Sequence, residues 1–241
     1  RLWCACERIS HSGAAVRAMR ARTEVVAARR VAGRIFGARV VIYGPEHNSN
    51  AAKVQAMRAL GAEVRLHGVD FDEARERAEQ AVQEEDLHFV HSANEPLLIA
   101  GVGTMGLEIF AALPDVDVVI VPVGGGSGAC GNALVAKKLN PDVEIIAVQA
   151  KSAPVCYRAW KERRLDVTAP MTTRHEGLAT RVPFAMTTLM MWDLVDRFEL
   201  VTDDEIDQAI GLLASEAKLV AEGAGAASLA AAINLKDHLR G

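Results

Sequence analysis

The sequence lacks the means for several kinds of work. No apolar run approaches the roughly 18 consecutive residues that a membrane-spanning helix requires, and the first residues do not follow the charged-then-apolar order of a secretory signal. No block of Lys and Arg with interleaved aromatics is present, and a formal net charge of −4 supplies no basic field for nucleic acid or an acidic membrane surface. Four cysteines, Cys4, Cys6, Cys130 and Cys156, form neither a disulfide framework nor paired CxxC zinc knuckles in a chain of 241 residues, and read as free thiols. Nucleic acid and membrane are thus not expected as partners, and a soluble, cytoplasmic protein is expected. Aromatics contribute only 5% of the residues but apolar residues 50%, enough for one large core or two modest ones.

What is present, from about residue 31 onward, is an alternation of short β-rich runs with helical apolar patterns. That is the signature of an α/β protein with a mainly parallel sheet. "RIFGARVVIYGPE" reads as a helix end, a stop at Gly37 and a strand over 39–43. "NAAKVQAMRALGAEVRLHG" repeats the unit: Val54, Met57 and Leu60 share a helical face, Gly61 stops the helix, and a strand follows over 63–66. A charged helix over 70–85, a strand "LHFVHS", a helix "EPLLIAGVGTMGLEIFAAL" and a strand "VDVVIVPV" come next. After a knot of glycines the pattern predicts a helix over 129–139, the strand "VEIIAVQA", a helix over 154–163 and a loop through Pro183. Two helices then flank the strand "RFELVT", with Asp203 or Asp204 as N-cap of "EIDQAIGLLASEAKLV", and the small-residue segment "AEGAGAASLAAAINL" forms the last helix.

The glycine knot lies in "VPVGGGSGACGNALVAKKLNP", between a buried strand and a helix. Such a turn presents several backbone N–H groups in one direction beside the positive end of the helix dipole, and so makes an anion site. Three constructions use this idea. A nucleotide P-loop needs GxxxxGK followed by Ser or Thr, but Gly126 to Gly131 continue into Asn132 and Ala133. "GSGACG" matches the dinucleotide GxGxxG, yet the next strand ends in Gln149 and Ala150, with no carboxylate for the ribose. The third construction holds the monophosphate of a cofactor such as pyridoxal phosphate.

Several separated segments, in order, carry a resemblance to threonine dehydratases and serine racemase, β-eliminating pyridoxal-phosphate enzymes of the tryptophan-synthase-like fold. They are "AAKVQAMRALGAEVRLHG", "VHSANEPLLIAGVGTMGLEI", "VPVGGGSGACGNALVAKKLNPDVEIIAVQA", "EGLATR", "FELVTDDEIDQAI" and "KLVAEGAGAASLAA". The resemblance implies an α/β protein with open, mainly parallel sheets in two domains, fold type II of the pyridoxal-phosphate enzymes. Residues 31–110 would be mostly a smaller, mobile domain and 111–241 a larger domain carrying the cofactor phosphate; residues 1–30 resemble nothing in the family. It implies an ammonia-lyase reaction on threonine, serine or a related hydroxy amino acid, giving a 2-oxo acid, in a homo-oligomer. A noncatalytic module for pyridoxal phosphate or another small anion, and a dinucleotide-binding oxidoreductase, are the alternatives.

By the same resemblance Gly124, Gly125, Gly126, Ser127 and Gly128 cradle the cofactor phosphate. The commoner family form has four glycines and then a larger apolar residue, whereas Ser127 and Gly128 take the last two places here. Glu176 and Gly177 match a step near the cofactor ring, and Glu222 a carboxylate close to the pyridine. Members that bind a divalent cation carry a glutamate where Gln149 stands, so no metal is expected. His91 reads as a structural histidine near the cleft, and Gly103 and Thr104 as packing or hinge positions. The catalytic residue stays unknown: the family lysine that forms an imine with the cofactor sits in an "SFKxRGA"-like stretch that this chain lacks. Its seven lysines are Lys53, Lys137, Lys138, Lys151, Lys161, Lys218 and Lys236. The family's "SxGNHG" loop is replaced over 22–27 by "RTEVVA", and the "SGGN" turn by the end of the chain. Residues 1–30 could be an amphipathic helix or a stretch read out of frame. A fragment or an inactive copy of such an enzyme is expected, without lyase turnover.

Overall fold

Runs of β-branched residues become strands, and glycines or capping polar residues close the helices between them. The computed structural model describes residues 2–4, 39–47 and 49–239. In chain order these form β1 (Leu2–Cys4), β2 (Val41–Gly44), α1 (Ala51–Ala59), β3 (Glu63–Leu66), α2 (Phe71–Glu85) and α3 (Pro96–Ala112). There follow β4 (Val118–Pro122), α4 (Ser127–Leu139), β5 (Glu144–Ala150), α5 (Val155–Glu162), a 3₁₀ turn (Glu176–Leu178), α6 (Ala185–Leu194), β6 (Arg197–Val201), α7 (Asp203–Ser215) and α8 (Gly223–Asn234).

The described residues fall into two units, 39–92 in one and 2–4 with 93–239 in the other. The division lies at Ser92 and Ala93, ahead of the expected boundary near residue 110. α3 goes with the second unit because it meshes with α4: a Cβ on Gly131 would lie 2.6 Å from the Ile99 carbonyl oxygen and 2.8 Å from the Gly103 nitrogen. The first unit pairs β2 with β3 in parallel, Ile42 opposite Val64, over a small core of Ile42, Val54, Met57 and Ala62. Asn50 caps α1 through the amides of Ala52 and Lys53, and Gly61 ends it at φ +89°. Glu85 meets Arg65 and Arg39 at the end of α2, and the Arg65 guanidinium first, with Arg39, holds its carboxyl down at about 2.

The second unit is built on a four-stranded parallel sheet in the order β1-β4-β5-β6. Both faces are covered, which is why the central strands β4 and β5 read as nearly continuous apolar runs rather than alternating ones. Val119, Val121, Val123, Ile145 and Ala147 face α3, α4, α5 and α6; Ile120, Ile146, Val148 and Val201 face α7 and α8. Among the described residues, no helix is long and apolar enough to cross a membrane.

Three expectations need correction. Residues 87–91 form no strand and join neither edge of the β2–β3 pair; the ring of Phe89 meets that of His91 edge-on at 5.9 Å. α4 begins at Ser127 rather than residue 129. The N-cap of α7 is Thr202, whose hydroxyl takes the Glu205 amide while the Glu205 carboxylate takes the Thr202 amide; Asp203 and Asp204 form its first turn instead. The edge strand β1 was not anticipated. The stop at Gly37, the replaced loop over 22–27 and most of residues 1–30 lie outside the described residues.

Candidate active site

The site is built at the end of β4. Parallel strands carry the chain into turns at their carboxyl ends, where such sheets bind their ligands. After Val123, whose amide still donates to the Val148 carbonyl at 2.7 Å, the chain turns through Gly124, Gly125 and Gly126 into α4. Gly126 is the N-cap at φ +92°, with no side chain to bond the helix amides. The first amide of α4 with a backbone partner is that of Cys130, donating to the Gly126 carbonyl at 2.9 Å. Among the described residues, the amides of 124–129 donate to nothing. A Cβ on Gly125 would crowd Ala93 and Phe184 at 2.9 and 3.1 Å, whereas one on Gly128 would meet nothing within 4 Å. A row of unanswered amides with open space at Gly128 suits an anion. Ser127, half-buried beside them, brings a hydroxyl to the same helix start.

The carbonyls of the turn are engaged. Thr180 and Thr187 donate to those of Gly124 and Gly125, and the Cys156 thiol reaches Gly124 as well. None of these was singled out from sequence. Cys130 lies on the same side, its thiol on the Thr187 carbonyl at 3.3 Å, and burial, with a smaller contribution from Cys156, pushes it up to about 12.

The segment that contributes Thr180 is latched to the start of α7. The Asp203 carboxylate accepts from Ser152 Oγ at 2.8 Å, Thr173 Oγ1 at 2.9 Å and the Arg174 amide at 3.0 Å. Burial opposes its charge, but the Arg174 amide, Ser152, Thr173 and His175 outweigh it and hold the carboxyl below its ordinary range. The Arg174 guanidinium clasps Asp204 and Asp207. His175 is buried, with Nε2 3.3 Å from the Asp203 carbonyl, and its ring fills the space where a Cβ on Gly223 would be, 2.1 Å from Nδ1. Glu176 and Gly177, both half-buried, form the 3₁₀ turn that packs on α8. Glu222 is the N-cap of that helix, though its side chain does not bond the helix amides. The structure thus gathers the glycine turn, the Glu176–Gly177 step and the Glu222 helix start into one unit. His91 belongs to the other unit. Thr104 is exposed and its Oγ1 bonds the Gly101 carbonyl of its own helix at 2.8 Å, whereas a Cβ on Gly103 would press on Val135 at 3.2 Å, so Gly103 serves helix packing.

Gln149 is fully buried, and its Oε1 accepts the amides of Cys156 and Tyr157, each at 3.0 Å. It caps α5 from the neighbouring strand, since the N-cap Pro154 has no side chain that can. Its carbonyl is therefore occupied and offers a ribose hydroxyl no acceptor, which counts against the dinucleotide reading. Gly131, the last glycine of that motif, serves the α3–α4 contact. No group of His, Cys, Asp and Glu that could hold a metal ion occurs among the described residues. The lysines are engaged or exposed elsewhere. Lys137 Nζ bonds the Val143 carbonyl and Asp196, Lys161 bonds the Tyr157 hydroxyl, and Lys218 bonds the Ser215 carbonyl. Lys138, Lys151 and Lys236 are exposed, with the charge of Lys151 acting on Glu205, and Lys53 is on α1.

Comparison with known proteins agrees with this arrangement. The family model described as "Pyridoxal-phosphate dependent enzyme" matches residues 25–241. The L-threonine ammonia-lyase of Thermotoga maritima is 40% identical over 207 residues, 86% of this chain and 51% of that protein. The L-threonine ammonia-lyase of Geobacter sulfurreducens is 40% identical over 201 residues, 83% of this chain and 50% of that protein. Among solved structures, the processed form of threonine deaminase isoform 2 from Solanum lycopersicum superposes with TM-score 0.81 at 29% identity, covering 88% of this chain and 58% of that one. Maize serine racemase superposes with TM-score 0.81 at 27% identity, covering 90% and 67%. The chain spans about half the length of the curated relatives it matches.

Proposed function

The chain belongs to the pyridoxal-phosphate-dependent enzyme family, and from that premise we propose that residues 124–128 hold the phosphate of pyridoxal phosphate within an ammonia-lyase for threonine, serine or a related hydroxy amino acid. When bound, the cofactor supplies an electron sink that eases loss of the Cα proton and of the β-hydroxyl. The protein's part is to grip and orient. The amides of Gly125, Gly126, Ser127 and Gly128 take the phosphate oxygens, aided by a helix dipole worth about 0.3–1 kcal/mol. By the family resemblance Glu176, Gly177 and Glu222, which share a unit with the glycine turn, would lie beside the cofactor ring, Glu222 offering it a carboxylate. The observation that carries this reading is the set of amides at 124–129 with no acceptor of their own.

The proposal extends to the lysines: Lys137, Lys161 and Lys218 are bonded elsewhere, Lys138, Lys151 and Lys236 are exposed, Lys53 lies on α1 in the other unit, and none stands in a stretch like the family's, so the chain as it stands holds the cofactor noncovalently and has no lyase turnover. Titration with pyridoxal phosphate, followed by tryptophan fluorescence and by absorbance after borohydride treatment, tests both parts. Saturable binding with no borohydride-fixed chromophore is expected. Failure to bind either pyridoxal phosphate or inorganic phosphate would overturn the phosphate site. Release of ammonia and 2-oxobutyrate from threonine at an enzymatic rate would overturn the noncatalytic state while leaving the site intact.

A further inference from the structure

The glycine turn is held from the side opposite its amides. Thr187 Oγ1 donates to the Gly125 carbonyl at 2.7 Å and Thr180 Oγ1 to the Gly124 carbonyl at 3.0 Å, where the Cys156 thiol also arrives at 3.3 Å. Each hydroxyl has one proton to give. The competing carbonyls are farther away, Phe184 at 3.3 Å from Thr187 and Leu178 at 3.5 Å from Thr180, so the glycine carbonyls receive it. Both threonines are buried, at 0% and 1% exposure, and bulk water cannot take their place.

In a planar trans peptide the N–H points away from the C=O of the residue before it, and no peptide among the described residues is cis. Fixing the Gly124 carbonyl therefore aims the Gly125 amide, and fixing the Gly125 carbonyl aims the Gly126 amide. Glycine needs such restraint more than any other residue, because both signs of φ are open to it and its peptide planes turn over readily. Without the two hydroxyls, part of the anion's binding energy would be consumed in ordering the turn.

We propose that Thr180 and Thr187 are positioning residues, which aim the Gly125 and Gly126 amides at the phosphate before it binds. This rests on the reading of residues 124–128 as a phosphate site. The adjacent Thr188 is the internal control: it is as deeply buried on the same helix, but its hydroxyl has no partner among the described residues.

The test compares the wild-type chain with Thr187→Val, Thr180→Val, Thr187→Ser and Thr188→Val for binding of pyridoxal phosphate and of inorganic phosphate. Each valine at 180 or 187 should weaken both ligands roughly three- to tenfold, the loss of about one hydrogen bond's net contribution. Thr187→Ser keeps the donor and should restore binding, and Thr188→Val should match wild type. Unchanged phosphate affinity in both Thr187→Val and Thr180→Val, with wild type binding normally, overturns the positioning role alone. Absence of binding in wild type instead brings down the phosphate site on which it rests. Should the valine variants not fold, the amide resonances of Gly125 and Gly126 in the wild-type chain decide. One sharp signal each before phosphate is added is expected; signals broadened by exchange that sharpen only with phosphate overturn the proposal.

Discussion

Gly126 carries two constraints at once: its φ of +92° and the Thr187 Cβ that a side chain would meet at 2.9 Å. Gly126→Ala should lower stability by about 1–3 kcal/mol, read from urea unfolding, and weaken phosphate binding with it. Cys130 tests burial more directly. With its thiol pushed up to about 12, chiefly by burial, it should resist alkylation at neutral pH in the folded chain and react at an ordinary rate once denatured. A slow, unfolding-limited reaction with iodoacetamide is the expected result. At this scale the sequence exposes some residues and hides others for a physical reason. A glycine cluster between strand and helix declares itself because no other residue makes that turn. Thr187 is invisible beforehand, since a hydroxyl has no assignable role until its partner, 62 positions earlier, is placed. Gln149 was read for a carboxylate it lacks, while its function as a cap depends on a helix start in the next element.

Among the elements, α7 is fixed at its start by the Thr202–Glu205 capping box and by the Asp203 latch. Thr202→Ala should cost about 0.5–2 kcal/mol, a fall of roughly 1–8 °C in Tm for a chain of this size. Asp203 predicts a pH dependence. Its folded carboxyl is held below the ordinary value, so the latch contributes fully above the unfolded aspartate range near pH 4 and is lost as pH falls through the lower folded value. Acid titration should therefore loosen 172–175 from α7, seen as faster amide exchange at Arg174, and Asp203→Asn should remove that dependence. The helices and the central strands were legible because burial on both faces leaves an unbroken apolar run. The N-cap was misassigned by one or two residues because Thr, Asp and Asp in succession all suit a helix start, and only the reciprocal bond to Glu205 chooses among them. The segment 87–91 has strand composition, but composition alone does not make it join an edge of the β2–β3 pair.

For the molecule as a whole, a ligand that binds only the folded chain must raise its melting temperature. Pyridoxal phosphate at a hundredfold excess over its Kd should add about 2.7 kcal/mol, a rise of roughly 5–10 °C, and thermal melts with and without the cofactor measure it. The parallel α/β class and the place of the glycine turn between strand and helix could be read in advance, since they follow from local patterns along the chain. The division at Ser92 and Ala93 could not, because it depends on how intimately α3 and α4 touch. Gly103, Gly106 and Gly131 let these two helices mesh backbone to backbone, with a Cβ on Gly106 only 2.9 Å from Val135. Gears cut that close have no play: a bulky residue at any of the three would force α3 and α4 apart, and Gly131 lies about one turn from Ser127, so the seam ends where the helix start begins.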